Sequence, residues 1–205
     1  MQKSSKKKTT HCNHNSPNIL SKLQIKLAAD VLELGGVIAY PTESVFGLGC
    51  DPQNEDAIYR LLSIKNRSPA KGLILIAASL DQLKPYIAPL SNELLLKVQQ
   101  TWPGPTTWLL PANPLAPQVL KGCHPLQAVR VSRHPLVRDL CNQFGGPIVS
   151  TSANKSNRPP AKTTIQVQLQ FGKDLDYILP GKTSGQKKPC EIKNALNNRI
   201  IRPGN

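Results

Sequence analysis

The spacing of apolar positions along the chain predicts helices and strands that alternate irregularly. A first helix is expected between a cap at Asn18 and a stop at Gly35, because apolar residues recur there at helical intervals. The residues on its predicted apolar face are Leu20, Leu23, Leu27, Val31 and Leu34. The run GLILIAA at 72–78 carries no polar side chain, which is typical of a strand buried on both faces at the centre of a sheet.

The remaining segments extend this pattern. Further helices are predicted over 54–65, 91–102, 135–145 and 163–171. Further strands are predicted over 37–41, 106–112, 127–132 and 147–152, followed by a hairpin that turns at Asn197-Asn198. Since no Gly/Ser linker divides these elements, they indicate one α/β domain over 19–205. Residues 1–18 are polar and without periodicity, which predicts a disordered basic N-terminal tail.

The charge of the chain changes this picture of an ordinary globular protein. The formal net charge is +14, and the first 18 residues supply four of these charges, so the predicted domain carries +10. Beyond Glu93 only four residues are acidic, against fifteen Lys or Arg. Such a surface attracts polyanions and phosphorylated ligands, although solubility alone would also explain it.

The cysteines and the apolar runs exclude several classes of protein. The five cysteines are scattered without a C-x-x-C pair, so free thiols are expected rather than a disulfide framework or a zinc site. No apolar run approaches the roughly 20 residues that span a bilayer, and the N-terminus lacks the apolar core of a secretory signal. We therefore expect a cytoplasmic protein with no metal ligands of its own.

The segment PGKTSG at 180–185 has the Gly-Lys-Thr that ends a phosphate-binding P-loop. That loop also needs a glycine five residues before its last glycine, and here Asp176 occupies the position. No helix is predicted to follow. We reject a P-loop.

Two predicted strands end in polar side chains. The first run is Thr42, Glu43 and Ser44, and the second is Ser150, Thr151, Ser152 and Asn154. Polar groups at the exits of strands are where α/β sheets usually build binding sites, and hydroxyls and amides suit phosphate or carboxylate oxygens. The alternative is that both runs form ordinary turns, which such residues readily adopt.

A basic loop, IKNRSPAKG at 64–72, lies directly before the central strand. Its Lys65, Arg67 and Lys71 have no neighbouring carboxylate, so the loop could be a polyanion patch, a solvated turn or the wall of an anion site. Arg130 lies in the apolar strand AVRVS, and if it faces inward it needs an anion, because an unpaired buried charge is costly. The basic loop is its expected companion in a single anion-binding site.

Five segments together resemble the YrdC/Sua5 family in its short bacterial form. They are AYPTESVFGLGCDP, LLSIKNRSPAKGLILIAA, WPGPTTWLLPA, LQAVRVSRHPLV and PIVSTSANKSNRPPA. They occur in the family's order and cover the chain from about 20 to 204. The resemblance implies a single YrdC-like domain, with a twisted, largely parallel or mixed sheet flanked by helices and a basic concave face.

The resemblance also implies an activity. Members condense L-threonine, bicarbonate or CO₂ and ATP into L-threonylcarbamoyladenylate and pyrophosphate, with Mg²⁺ accompanying the ATP. Partner proteins, a threonylcarbamoyl transferase complex, then modify adenosine 37 of tRNAs that read codons beginning with A. The implied class is nucleotidyltransferase. An alternative is a non-catalytic protein that binds tRNA or double-stranded RNA through the basic concave surface.

The family's signature residues map onto this sequence one by one. Lys65 and Arg67 are implied as catalytic, and with Ser152 and Asn154 they would contact substrate and nucleotide. The resemblance further implies that Thr42, Lys71 and Arg130 hold threonine and that Ser150 and Arg202 lie by the nucleotide.

The sequence departs from the family pattern at three positions. Ser68 stands where a proline usually follows the Lys-x-Arg, so the proline falls at Pro69. Asn157 replaces a common glycine, with little expected effect because both tolerate a left-handed backbone. Cys190 replaces a serine, and a thiol would bind phosphate more weakly than a hydroxyl.

Overall fold

A computed structural model describes residues 19–155, 158–186 and 189–204 of the chain. Nine strands in this part form one sheet: β1 Ile38–Pro41, β2 Phe46–Gly49, β3 Ile74–Ala77, β4 Thr106–Pro111, β5 Leu126–Val131, β6 Ile148–Ser152, β7 Tyr177–Ile178, β8 Glu191–Asn194 and β9 Ile200–Arg202. Their order across the sheet is β7-β1-β2-β6-β3-β5-β4-β8-β9. The predicted tail at 1–18 and Asn157 lie outside the described residues.

The sheet is mixed, as the resemblance allowed. The pairs β1–β7, β3–β5 and β4–β8 are parallel, and the other five neighbouring pairs are antiparallel. Antiparallel pairing therefore predominates over a largely parallel arrangement. The single α/β domain is confirmed, while the basic concave face stays a prediction.

Seven helices flank the sheet in the described part of the chain; five of them lie where their end signals predict, and the short α3 and α5 were not predicted. They are α1 Ile19–Glu33, α2 Glu55–Lys65, α3 Leu80–Leu83, α4 Asn92–Gln99, α5 Gln118–Lys121, α6 Pro135–Phe144 and α7 Thr164–Phe171. The side chain of Asn54 accepts a hydrogen bond from the backbone N–H of Ala57, which caps α2 as predicted. Gly145 ends α6 in the left-handed conformation, also as predicted.

The buried face of α1 is mostly not the predicted one; of the predicted face, Val31 is partly buried and packs against the core. Leu23, Leu27 and Leu34 are 62%, 47% and 87% exposed. The residues of α1 that pack in the core with α6 are Ile25, Ala28, Ala29 and Leu32. These positions also follow helical spacing, and their two alanines let the helix approach its neighbour closely. Two series of apolar residues in α1 have helical spacing, and the prediction that the leucine series is the buried one was wrong.

The central strand and the final hairpin form as predicted. Leu75 of β3 lies in one hydrophobic cluster and Ile76 in the other, so β3 is buried on both faces of the sheet. At the end of the chain β8 and β9 pair as an antiparallel hairpin, with Asn198 at a φ of 60° in its turn. Residues 180–186 form neither helix nor strand, which agrees with the rejection of a P-loop.

Strand β2 was not predicted, and neither was the short β7. Strand β2 pairs with β1 and places its two glycines against the buried ring of Tyr40. A Cβ at Gly47 would lie 3.1 Å from that ring, and one at Gly49 would lie 2.3 Å from the carbonyl oxygen of Val149. The glycines therefore make room for Tyr40 and for the close approach of β6.

Candidate anion-binding site

A cavity of about 700 Å³ opens beside the ends of β2, β6 and β8. From the first half of the chain, Thr42, Arg67 and Lys71 line it. From the second half, Arg130, Ser150, Ser152, Asn154 and Arg202 line it. The fold thus brings eight of the nine predicted site residues to one space, although their sequence positions extend from 42 to 202.

The lining of this cavity is strongly cationic. Lys121 adds a further cation to its wall, which the ring of His124 also lines. Among the described residues that line it, none is Asp or Glu. The described part of the chain also holds no group of three or more His, Cys, Asp or Glu side chains that could bind a metal. The cavity can therefore bind anions, but its own side chains offer Mg²⁺ none of the carboxylates that the ion commonly uses.

Arg67 lines the cavity because its loop turns back on itself. Asn66 ends α2 in the left-handed conformation, and the guanidinium of Arg67 donates a 2.9 Å hydrogen bond to the carbonyl oxygen of Gly72. The buried Nε of Arg67 has no hydrogen-bond partner among the described residues, and burial lowers the pKa of the group. Arg67 therefore lines the cavity with its guanidinium held by Gly72.

The additional Ser68 is accommodated as a cap. Its Oγ accepts a hydrogen bond from the backbone N–H of Ala70 and starts a 3₁₀ turn over Pro69–Lys71. The shifted proline is the first residue of that turn, where a missing N–H costs nothing. The insertion therefore leaves Arg67 and Lys71 on the same cavity wall.

Lys65 is the one predicted site residue that does not line the cavity. Its ammonium donates hydrogen bonds to the carbonyl oxygen of Ser152 at 2.6 Å, to the carbonyl oxygen of Asn154 and to Asn154 Oδ1 at 3.1 Å. All three of its donors are therefore used. Burial, together with the nearby charge of Arg67, lowers the pKa of Lys65 to about 8. Lys65 anchors the exit of β6.

The sequence left open whether Ser152–Asn154 forms a binding site or an ordinary turn, and the structure shows features of both. Ser152 Oγ donates to Asn154 Oδ1 at 2.6 Å, and the backbone N–H of Asn154 bonds the carbonyl of Ser152. These bonds form a local turn of the kind that small polar residues favour. The same turn presents both side chains to the cavity.

Arg130 has a partner that the sequence analysis did not identify. The side chain is buried, and its Nη2 lies 3.5 Å from Glu43 Oε2, while Nη1 donates to the sulfur of Cys190. The expected companion was the basic loop, which lines the cavity but supplies no anion. The available signal was the carboxylate of Glu43 within the polar run Thr42–Ser44 at the exit of β1.

Glu43 is itself held firmly. Its Oε1 accepts hydrogen bonds from Ser132 Oγ at 2.7 Å and from the backbone N–H of Arg133 at 3.0 Å. Burial alone would raise the pKa of Glu43, but the charge of Arg130 and these hydrogen bonds hold it below its ordinary value. The Glu43 side chain is therefore an ionised, oriented carboxylate.

Cys190 connects two arginines of the site. Its thiol accepts from Arg130, and its carbonyl oxygen accepts from Nε and Nη2 of Arg202 at 3.2 and 2.8 Å. Burial raises the pKa of the Cys190 thiol, although Arg130 works in the opposite direction. Cys50, Cys123, Cys141 and Cys190 are all free thiols, as expected, and Cys12 lies outside the described residues.

The sequence profile of the Sua5/YciO/YrdC family, described as telomere recombination, matches residues 30–204. The chain belongs to the Sua5/YciO/YrdC family. Among its relatives, proteins named threonylcarbamoyl-AMP synthase from Nitrosococcus oceani and Vibrio parahaemolyticus are 51% and 52% identical to it. The first match covers 87% of this chain and 97% of the relative, and the second covers 85% and 96%.

Solved structures of the family agree with the fold. P. abyssi Sua5 complexed with L-threonine superimposes with a TM-score of 0.84 at 29% identity over 89% of this chain. The match covers 54% of that longer Sua5 chain. E. coli YciO superimposes with a TM-score of 0.76 at 24% identity over 89% of this chain and 90% of YciO, which shows a shared fold. Within the described part of the chain, no helix is both long and apolar enough to cross a membrane.

Proposed function

We propose that this member of the family is a threonylcarbamoyl-AMP synthase. It condenses L-threonine, bicarbonate or CO₂ and MgATP into L-threonylcarbamoyladenylate and pyrophosphate. The observation that carries the proposal is a single cavity in which Arg67, Lys71, Arg130 and Arg202 meet and whose described lining holds no carboxylate. Relatives that bear this name match nearly the whole predicted domain, and Sua5 has been crystallised with L-threonine.

The threonine end of the proposed site contains Thr42, Lys71 and Arg130. Arg130 is fixed and buried, and a guanidinium suits the planar carboxylate of an amino acid. The hydroxyl of Thr42 donates to the carbonyl oxygen of Val45 at 2.7 Å, so its lone pairs remain available to a ligand.

The nucleotide end contains Arg67, Ser150, Ser152, Asn154 and Arg202. Hydroxyls, an amide and two guanidinium groups together can bind several phosphate oxygens in defined directions. Lys65 contributes indirectly, since it fixes the loop that carries Ser152 and Asn154. Mg²⁺ enters with ATP as part of the substrate.

The proposed reaction needs positioning and charge stabilisation more than a side-chain nucleophile. The amine of threonine attacks CO₂ and loses a proton, which gives a carbamate anion. An oxygen of the carbamate then attacks the α-phosphorus of ATP, and pyrophosphate leaves from the opposite side. The cations around the cavity would neutralise both anions as they approach and stabilise the charge that builds up on the phosphates.

The adenylate would serve tRNA modification in the cytoplasm, where amino acids, ATP and tRNA occur together. Partner proteins of the threonylcarbamoyl transferase complex would pass the threonylcarbamoyl group to adenosine 37 of tRNAs that read codons beginning with A. The product is a reactive mixed anhydride, so it requires such an acceptor nearby.

The test supplies purified protein with L-threonine, bicarbonate, Mg²⁺ and ATP in the absence of RNA. We expect pyrophosphate and an adenylate that both depend on threonine. Folded protein that forms neither would refute the synthase.

The alternative function is RNA binding without catalysis, suggested by the net charge of +14. Its test is tRNA affinity across a salt series, because binding through phosphate contacts weakens steeply as salt rises. An affinity that does not change with salt would exclude an electrostatic RNA surface.

A further inference from the structure

Glu43 occupies a place in the site that the proposed function leaves without a role. It lies outside the cavity lining, and its side chain is 6% exposed. A glutamate is rarely buried so deeply unless it is paired. Apart from its own backbone, the partners of its side chain among the described residues lie on or just after β5, namely Arg130, Ser132 and the backbone of Arg133.

The two oxygens of Glu43 have different functions. Oε1 accepts hydrogen bonds from the hydroxyl of Ser132 and from the backbone N–H of Arg133, and these bonds fix the plane of the carboxylate. Oε2 receives no hydrogen bond from a described residue and faces Nη2 of Arg130 at 3.5 Å. One oxygen therefore holds the carboxylate in place while the other holds the guanidinium by charge.

Arg130 has donors to spare after these contacts. Nη1 donates to Cys190 and Nη2 faces Glu43, while Nε is buried without a partner among the described residues. A buried guanidinium with an unpaired donor on a cavity wall is suited to an anion that enters the cavity. Glu43 and Cys190 restrict the rotation of the group, so its orientation exists before the anion arrives.

We propose that Glu43 is a positioning residue that holds the Arg130 guanidinium in the orientation that binds the carboxylate of the amino-acid substrate. The inference rests on the proposed function, since it takes that carboxylate as the ligand of Arg130. Glu43 touches no substrate itself. Its charge also lets a buried arginine stay in the wall, because removing one partner of a buried ion pair leaves an uncompensated charge.

The discriminating experiment measures the binding of two amino-acid ligands, with MgATP as a control ligand, to two proteins. The amino-acid ligands are L-threonine and L-threoninamide, which lacks the carboxylate charge, and the proteins are the wild type and Glu43→Gln. The glutamine keeps an oxygen for Ser132 and Arg133 but loses the charge that faces Arg130. Calorimetric Kd values for both ligands, and for MgATP, form a cycle that isolates the coupling between Glu43 and the carboxylate.

We expect Glu43→Gln to weaken threonine binding by about 10- to 100-fold, as is typical when one member of a buried charged set is lost. The Kd values of threoninamide and MgATP should change by less than about 2-fold, because neither ligand uses the pairing of Arg130 with a carboxylate. Equal weakening of all three ligands would show a merely structural role, and no change in any would show that Arg130 needs no positioning. Either result overturns the proposal.

A milder variant covers the case in which Glu43→Gln does not fold. Ser132→Ala removes one of the two hydrogen bonds to Oε1, together with the acceptor of the His134 backbone N–H, and leaves the charge of Glu43 in place. It should weaken threonine binding by about 2- to 5-fold and leave threoninamide unaffected, consistent with the loss of one hydrogen bond. Unchanged threonine binding in this variant would count against the proposal. If the wild type itself binds no threonine, the proposed function has failed, which is a separate result from failure of the Glu43 cycle.

Discussion

The ammonium group of Lys65 lies 2.6 Å from the carbonyl oxygen of Ser152, a residue 87 positions later in the chain. This contact and the two to Asn154 join the end of α2 to the end of β6. Arg67, two residues away, instead contacts its own loop and faces the cavity. The two cations of the Lys-x-Arg signature therefore have different structural roles: Lys65 joins two elements, and Arg67 lines the cavity.

Replacing Lys65 and Arg67 by methionine should reduce activity in both cases and stability in only one. Lys65→Met leaves three acceptors of the β6 exit without their donor, so we expect a loss of about 2–4 kcal/mol in the free energy of unfolding. Arg67→Met removes one hydrogen bond and should cost less than about 1 kcal/mol. Both variants should lose about 100-fold or more in threonine-dependent pyrophosphate release. Urea unfolding and the assay decide this, and equal stability of the two variants would contradict it.

The pKa of Lys65 predicts a pH dependence of stability with a definite sign. The group has a pKa of about 8 in the folded protein against an ordinary value of 10.5. Between these values the unfolded chain binds more protons than the folded chain, so the contribution of Lys65 to the free energy of unfolding increases as pH rises. The difference between the wild type and Lys65→Met, measured by urea unfolding, should therefore grow from pH 8 to 10.5. A constant difference would refute the lowered pKa.

Cys190→Ser should strengthen nucleotide binding. The thiol is a weak hydrogen-bonding group that lines the cavity between Arg130 and Arg202, whereas a hydroxyl both donates and accepts well. We expect KM for ATP to fall by about 2- to 10-fold, the range of one net hydrogen bond. A higher KM for ATP in the serine variant would show that the thiol is the better group here. Cys50→Ser, in the core, serves as the control for a thiol remote from ATP.

Gly49→Ala should be strongly destabilising and Gly146→Ala close to neutral. A Cβ at Gly49 would lie 2.3 Å from the backbone oxygen of Val149, and backbone cannot move aside as a flexible side chain can. We expect a loss of about 2–4 kcal/mol, as for overpacked cores. At Gly146 the nearest atom would be 3.9 Å away, in ordinary contact. Urea midpoints of the two variants test this, and similar values would be inconsistent with the close approach of β2 and β6.

The assignment of the buried face of α1 is tested by Leu23→Ala and Leu32→Ala. Leu23 is largely exposed and Leu32 is fully buried. We expect a change within about 0.5 kcal/mol for Leu23 and a loss of about 2–5 kcal/mol for Leu32. The reverse order in thermal or urea unfolding would restore the face that the leucine spacing predicts.

Local signals predicted most elements of the fold. Caps, glycine stops and apolar runs act over a few residues, so the helix that Asn54 caps and the double-sided strand β3 could be recognised without knowledge of their neighbours. Two features that were not predicted, strand β2 and the buried face of α1, depend on residues distant in the sequence. β2 exists because Tyr40 and Val149 fit against its glycines, and α1 buries its alanines because α6 packs there.

The sequence by itself determined the kind of chemistry, since it carries cations and small polar side chains at strand exits and the motifs of one family. Only the tertiary structure decided which contacts each of those residues makes. Lys65 lies outside the cavity lining, where it donates to the carbonyl oxygen of Ser152. Arg130 is paired with Glu43 and is not surrounded by cations alone. The physical reason is that a buried charge takes the nearest group able to compensate it in space, and distance along the chain carries no information about that partner.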